Sequence, residues 1–222
     1  MVTATGRSIM AGRSEEKAAR AVRDSFGIAQ AHAVSEDLEV RLAAIVAASP
    51  RLMRVMRFAR DWDLPDWLIA SGAIFETAWN SITGRDPDHG IKDFDLLYFD
   101  PDTSYAAEDV IIKRIAAALP DDLRPLVEAR NQARVHLWFE QKFGEPYAPL
   151  THSAEALTRF VSRANAVGAR LLKHDRIQIE APFGLEDLFA MRLRPTPVRS
   201  RSPAFAKVAA GLKARWPEIS VE

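Results

Sequence analysis

Lys92-Asp93-Phe94-Asp95-Leu96-Leu97-Tyr98-Phe99, read together with the upstream Ser71-Gly72-Ala73, decides how this chain folds. The run of large apolar residues from Leu96 to Phe99 predicts a strand over 93–99 that is buried beyond its tip. Side chains alternate faces along a strand, so Asp93 and Asp95 point the same way. Two carboxylates on one face repel unless a cation sits between them, and a divalent metal is the usual answer. Phosphoryl and nucleotidyl transfer place negative charge on the attacking, leaving and equatorial oxygens together, which two metals about 3.5–4 Å apart neutralise. The acid pair therefore implies metal-assisted transfer of a phosphorus group. Taken alone, an Asp-x-Asp also reads as a charged strand entry that faces water.

Working outward, Trp67 to Ser71 reads as a buried strand, and 73–83 as an amphipathic helix carrying Phe75–Trp79 and Ile74–Ala78–Ile82 at helical spacing. Ser71-Gly72 then stands at a helix N-terminus, where unpaired N–H groups attract phosphate and Gly72 lets the backbone approach closely. The plainer reading is an ordinary strand–helix turn. A third carboxylate is needed to finish a metal cage. Glu128, on a strand expected over 125–129, is the candidate, with a surface strand glutamate as the alternative. Lys92 can help neutralise a triphosphate or can simply be solvated. Asn131 and Gln132 can read a base or ribose, or Asn131 can cap a helix over 132–143 that ends at Gly144. Arg134 can pair with a phosphate or face solvent, and Arg130 lies one helical turn before it. His136 reads as a core histidine.

The rest of the chain sets the context. Residues 1–13 are small and polar and read as disordered. Helices are expected over 14–33, from Ser35 through Val46, and from Ser49-Pro50 to about Asp63, so that 14–63 forms a helical extension packed on the core. The catalytic core is expected over 64–145. Helix 104–118 follows the acid-headed strand. The stretch 146–197 continues the same domain with a helix at 153–162, strands at 168–173 and 176–181, and a helix from Leu185 to Met191. Residues 198–222 read as a basic tail with a helix over 203–215, solvated or touching an anionic acceptor. The fold class is α+β: a small mixed sheet flanked by helices, with an N-terminal helical extension.

Bulk composition narrows the classes of function. Lys plus Arg and Asp plus Glu number 30 each, which gives no global pull toward nucleic acid or an anionic membrane. There are no cysteines, which excludes disulfides and thiolate metal sites. No apolar run is long enough to span a bilayer, and the start has no secretory apolar segment. A cytoplasmic protein with no membrane partner is the expectation.

Several blocks in order carry a resemblance: Ala70-Ser71-Gly72-Ala73-Ile74, Trp79-Asn80, Asp93 to Asp100, Val127-Glu128-Ala129-Arg130-Asn131-Gln132-Ala133-Arg134-Val135-His136, and Ala181-Pro182-Phe183-Gly184-Leu185-Glu186-Asp187-Leu188-Phe189. Over roughly 36–197 the chain resembles bacterial nucleotidyltransferase family proteins, a branch of the DNA polymerase β-like superfamily. The resemblance implies the polymerase-β-like nucleotidyltransferase fold. It implies two Mg²⁺ ions, with Mn²⁺ able to substitute, held by Asp93, Asp95 and Glu128. It further implies attack of an acceptor hydroxyl on the α-phosphate of a nucleoside triphosphate, ATP foremost, with release of pyrophosphate. Phosphate contact falls to Ser71 and Gly72 by the resemblance, while Lys92, Asn131 and Arg134 stay candidate nucleotide or phosphate contacts on their own chemistry. The acceptor is a small molecule or an RNA. Ala73 stands where the superfamily often has Gly or Ser, so a hydroxyl contact there is lost unless Ser71 replaces it. The alternative is a catalytically degenerate module of the same fold that binds a nucleotide or a protein.

Overall fold

The computed structural model describes residues 35–200 and 202–222. The disordered start expected at 1–13 and the helix expected over 14–33 lie outside the described residues. The elements that position the site all lie within Glu39–Glu222, which forms one compact unit.

Helix α1 (35–47) buries Leu42 and Val46. Helix α2 (Pro50–Trp62) opens on Pro50, whose fixed φ suits the first helical position, and stops where Asp63 turns left-handed at φ 50°. Its buried row of Leu52, Met53, Val55, Met56 and Ala59 follows the helical period.

The main sheet has the order β3-β2-β1-β4-β5. Its strands are β1 (Leu68–Ala70), β2 (Phe94–Tyr98), β3 (Val127–Asn131), β4 (Gly168–Leu171) and β5 (Ile177–Glu180). β1 is central and buried along its length. β2 and β3 run parallel, and the other neighbours are antiparallel. A parallel pair needs a long crossover, which α4 (Tyr105–Ala118) supplies. Ser104 caps α4 by accepting from the Ala107 N–H at 3.3 Å. α3 (Gly72–Thr83) links β1 to β2.

Register sorts the sheet into two faces. Ala70, Asp95 and Glu128 are paired across three strands, as are Leu68, Leu97 and Arg130, so all six share one face. Ile69, Phe94, Leu96, Tyr98, Ala129 and Asn131 take the other face, against which α2 and α4 pack. Leu68, Ala70 and Leu97 are covered by Leu150, Ala156 and Leu157. Gly168 permits the tight β1–β4 approach, since a Cβ there would stand 2.4 Å from Leu68 Cδ1.

Several expectations are corrected. β3 starts at Val127 and runs to Asn131, later than 125–129, because Leu126 closes a turn by donating to Leu123 O at 2.9 Å. The helix expected over 132–143 is broken. A 3₁₀ turn spans Gln132–Leu137, Trp138 leaves helical geometry at φ −129°, and a short α5 (Phe139–Phe143) follows, ending at left-handed Gly144. Residues Ser153–Arg159 form a 3₁₀ turn in place of a longer helix. After the brief α6 (Glu186–Phe189), β6 (Arg192–Leu193) pairs in parallel with β7 (Ser220–Val221), a sheet the periodicity did not signal.

The segment expected as a basic tail is integral to the fold. Helix α7 (Ala204–Arg215) leads to a fully buried Trp216, whose Nε1–H donates to Asn80 Oδ1 at 3.0 Å. The Asn80 amide donates in turn to the carbonyls of Pro87 and His89. No described helix is long and apolar enough to cross a membrane.

Candidate active site

β1 is followed by Ser71, which holds φ 53° and ψ −115°, a strained backbone for a residue with a side chain. The strain is held in place locally. Ser71 N–H donates to Val167 O at 2.8 Å, and Ser71 O accepts from the N–H groups of Ile74 and Phe75. The turn thereby aims the start of α3 into a cleft of about 750 Å³ on the carboxylate face of the sheet.

Of the residues expected from sequence, Ser71, Gly72, Lys92, Asp93 and Asp95 line this cleft. Ala73 is fully buried, so its side chain faces the interior and a hydroxyl there would not reach the cleft. Glu128 is the register partner of Asp95 on the adjacent parallel strand. It is exposed, and it accepts from Arg130 Nη2 at 3.3 Å.

Two expected residues stand elsewhere. Asn131 is turned to the opposite face and its carboxamide is fully engaged. Its oxygen accepts from the N–H groups of Asp100 and Ala133, and its nitrogen donates to the carbonyls of Asp100 and Asp102. The cap reading of Asn131 stands, and the nucleotide contact does not. Arg134 is buried, donates from Nε to Thr103 O at 2.8 Å and pairs with Glu108. It forms a structural ion pair and is not among the residues that line the cleft. Asp187, in the first turn of α6, is buried between Arg192 and Arg194, each at 2.8 Å.

Sequence reasoning missed other groups that the cleft gathers. Arg130 shares a face with Glu128, and strand alternation would have found it had β3 been placed at 127–131. Glu76 is buried on α3 and pairs with Arg215 Nη1 at 2.8 Å. Trp138, Phe139, Tyr147 and Lys207 line the far walls, beside Gln132, which the sequence offers as a base or ribose contact. Nothing local in the sequence ties these to the acids.

The electrostatics are those of a crowded anionic site. Burial pushes the Asp95 carboxyl up to about 6, and the charges of Asp93 and Glu128 push the same way against Arg130. Asp93 is raised by burial and by Glu128, with Lys92 opposing. Burial also lifts Glu76 to about 7, offset in part by Arg215. Carboxylate oxygens from two neighbouring strands are the donor type that a hard divalent cation takes, so Asp93, Asp95 and Glu128 fit Mg²⁺ by chemistry. Among the described residues no three His, Cys, Asp or Glu side chains are drawn together into a finished cage. Glu128 would leave Arg130 to join one.

Comparison with known proteins bears directly on this arrangement. Residues 57–221 match the family model described as nucleotidyltransferase, a span that takes in the C-terminal segment beyond the resemblance read at 36–197. A solved structure, described as an NMR structure that reveals a CCA-adding enzyme head domain, superposes with a TM-score of 0.66. It is 24% identical and the match covers 82% of this chain and 94% of that one, a likeness of fold. No curated protein matches the chain. The five-stranded mixed sheet with its helices is thus the fold of a nucleotidyltransferase head domain, and, with the family model spanning well over half its length, the chain belongs to the nucleotidyltransferase family.

Proposed function

We propose that the chain transfers a nucleoside monophosphate from a nucleoside triphosphate, ATP foremost, to an acceptor hydroxyl, with Asp93, Asp95 and Glu128 holding Mg²⁺. The observation that carries this reading is register. Asp95 lies opposite Glu128 on adjacent parallel strands, Asp93 shares their face, and the start of α3 lines the same cleft as Asp93 and Asp95. Bound there, the metal supplies Lewis-acid stabilisation of the charge on the phosphoryl oxygens.

The chain's own groups do the remaining work. The N–H groups of Gly72 and Ala73 precede the first intrahelical donors, Ile74 and Phe75, and are placed to meet phosphate oxygens. The Ser71 hydroxyl stands at the same turn, in the role a later hydroxyl has in the wider superfamily. Lys92 and Arg130 place positive charge at the cleft wall. Trp138, Phe139 and Tyr147 give the cleft an apolar side that limits water.

Pyrophosphate release from each labelled triphosphate with Mg²⁺ tests the reading. Asp95→Asn is expected to reduce turnover by more than the roughly 10–100-fold typical of changes behind a metal's ligands. Turnover unchanged in Asp95→Asn would sink it. One observation favours a second reading, nucleotide binding without transfer: Glu128 is already paired with Arg130. Calorimetry with ATP, with and without Mg²⁺, separates the two, because tight binding without turnover across many acceptors belongs to the second.

A further inference from the structure

Helix α7 carries Lys207, Gly211 and Arg215 four residues apart, so they stand in one row along the helix. All three line the cleft. Arg215 crosses to α3, with Nη1 at 2.8 Å from Glu76 Oε1 and donating to Gly90 O at 2.7 Å, and its guanidinium lies over the Trp216 ring at 4.7 Å. Glu76 is one turn from Gly72, where a Cβ would stand 4.0 Å from the Glu76 carboxyl carbon. The row therefore ends beside the Ser71–Gly72 turn. At its other end Lys207 is exposed, and among the described residues no carboxylate pairs with it.

Gly211 is the informative member. Glycine inside a helix is the costliest choice after proline, and here packing gives no reason for it. A Cβ at Gly211 would have nothing within 4 Å. What the missing side chain leaves is a dent in the cleft wall between two cations, where an anionic ligand can lie against the helix backbone.

We propose that the Lys207–Gly211–Arg215 row of α7 holds the β- and γ-phosphates of the nucleoside triphosphate, facing the Ser71–Gly72 turn across the cleft. The assignment rests on the nucleotidyl-transfer reading. A phosphodiester of a nucleic-acid acceptor offers the same chemistry. The triphosphate is favoured because the row closes, through Arg215 and Glu76, on the start of α3 and on Lys92.

Calorimetry on the full chain at fixed salt tests this, with inorganic tripolyphosphate, ATP and a single-stranded RNA oligonucleotide as probes. Lys207→Ala is expected to weaken tripolyphosphate and ATP about tenfold, the size of one lost hydrogen bond to a charged group. Gly211→Ala fills only open space and improves helix propensity, so it is expected to raise Tm while weakening the same two probes. Lys213→Ala removes an equal charge from the same helix outside the cleft and is expected to leave both affinities unchanged. The assignment is overturned if Lys207→Ala and Gly211→Ala bind both probes as the wild type does. It is overturned equally if Lys213→Ala is as damaging as Lys207→Ala, or if only the oligonucleotide is weakened. Wild-type protein that binds no triphosphate at all removes the nucleotidyl-transfer reading itself, whereas intact ATP binding and turnover in both variants removes only the role of α7.

Discussion

Glu76 is a carboxyl whose charge the fold resists. Burial lifts it to about 7, Arg215 works against the shift, Asp93 adds to it and Lys92 subtracts. The folded value lies above the ordinary glutamate value, so the folded state holds the proton more tightly than the unfolded chain. Its contribution to stability is complete below the unfolded pKa, near 4.5, and is lost as pH rises through about 7. The loss amounts to about 3 kcal/mol at most. Urea denaturation of the wild type is expected to show declining stability between those pH values, and Glu76→Gln is expected to flatten that part of the profile. A parallel decline in both proteins would assign the effect to another group. Residues of this kind divide by how local their signal is. Asp93 and Asp95 were legible because strand alternation alone puts them on one face. Glu76 was not, because its partner Arg215 is brought to it only by the packing of the last helix onto α3.

At the scale of elements, the small displacement of β3 decided which arginine serves the cleft. Placing the strand at 125–129 left Arg130 and Arg134 one helical turn apart and made Arg134 the candidate. The strand at Val127–Asn131 puts Arg130 on the carboxylate face and sends Asn131 to the other. The apolar pair Leu126-Val127 concealed the boundary, since the Leu126 N–H is spent on a turn while its carbonyl already accepts from Phe94 at 2.7 Å. Arg134 and Asn131 instead fasten β3 to α4. Glu108 accepts from the Asn131 N–H at 2.9 Å and pairs with Arg134, both side chains being buried. Removing one partner of a buried ion pair strands the other charge. Glu108→Ala is therefore expected to cost about 3–5 kcal/mol, read as a lowered urea midpoint. A cost within experimental error would mean that the pair is dispensable. The composition of 104–118 marked the helix correctly but carried no sign of this pairing, which depends on the crossover bringing α4 under the strand.

Across the molecule, sequence reading was strongest where local pattern and fold agree and weakest where distant segments meet. The small mixed sheet, the strand–helix turn at Ser71 and the shared face of Asp93 and Asp95 followed from periodicity and turn chemistry, whereas the pairing of Asp95 with Glu128 did not. The C-terminal segment did not. Its basic residues suggested a solvated tail, yet Trp216 is fully buried against Trp79 and is hydrogen-bonded to Asn80. Exposed Lys207 and Lys213 tell less about this helix than the one indole that is not exposed. Trp216→Ala empties a large core position and removes the partner of the Asn80 oxygen, with an expected loss of about 3–5 kcal/mol. The same variant is expected to weaken ATP in calorimetry, because α7 forms one wall of the cleft. Full affinity in a destabilised Trp216→Ala protein would detach that wall from nucleotide binding.

The two indoles meet at 5.5 Å with their planes 66° apart. At that separation their electronic transitions couple, and the oblique angle makes the coupled pair optically active. The protein thus contains its own label-free gauge: a couplet in far-ultraviolet circular dichroism, from the strong indole transition, whose amplitude follows how firmly the last helix is seated, and which can be watched while a ligand is titrated in.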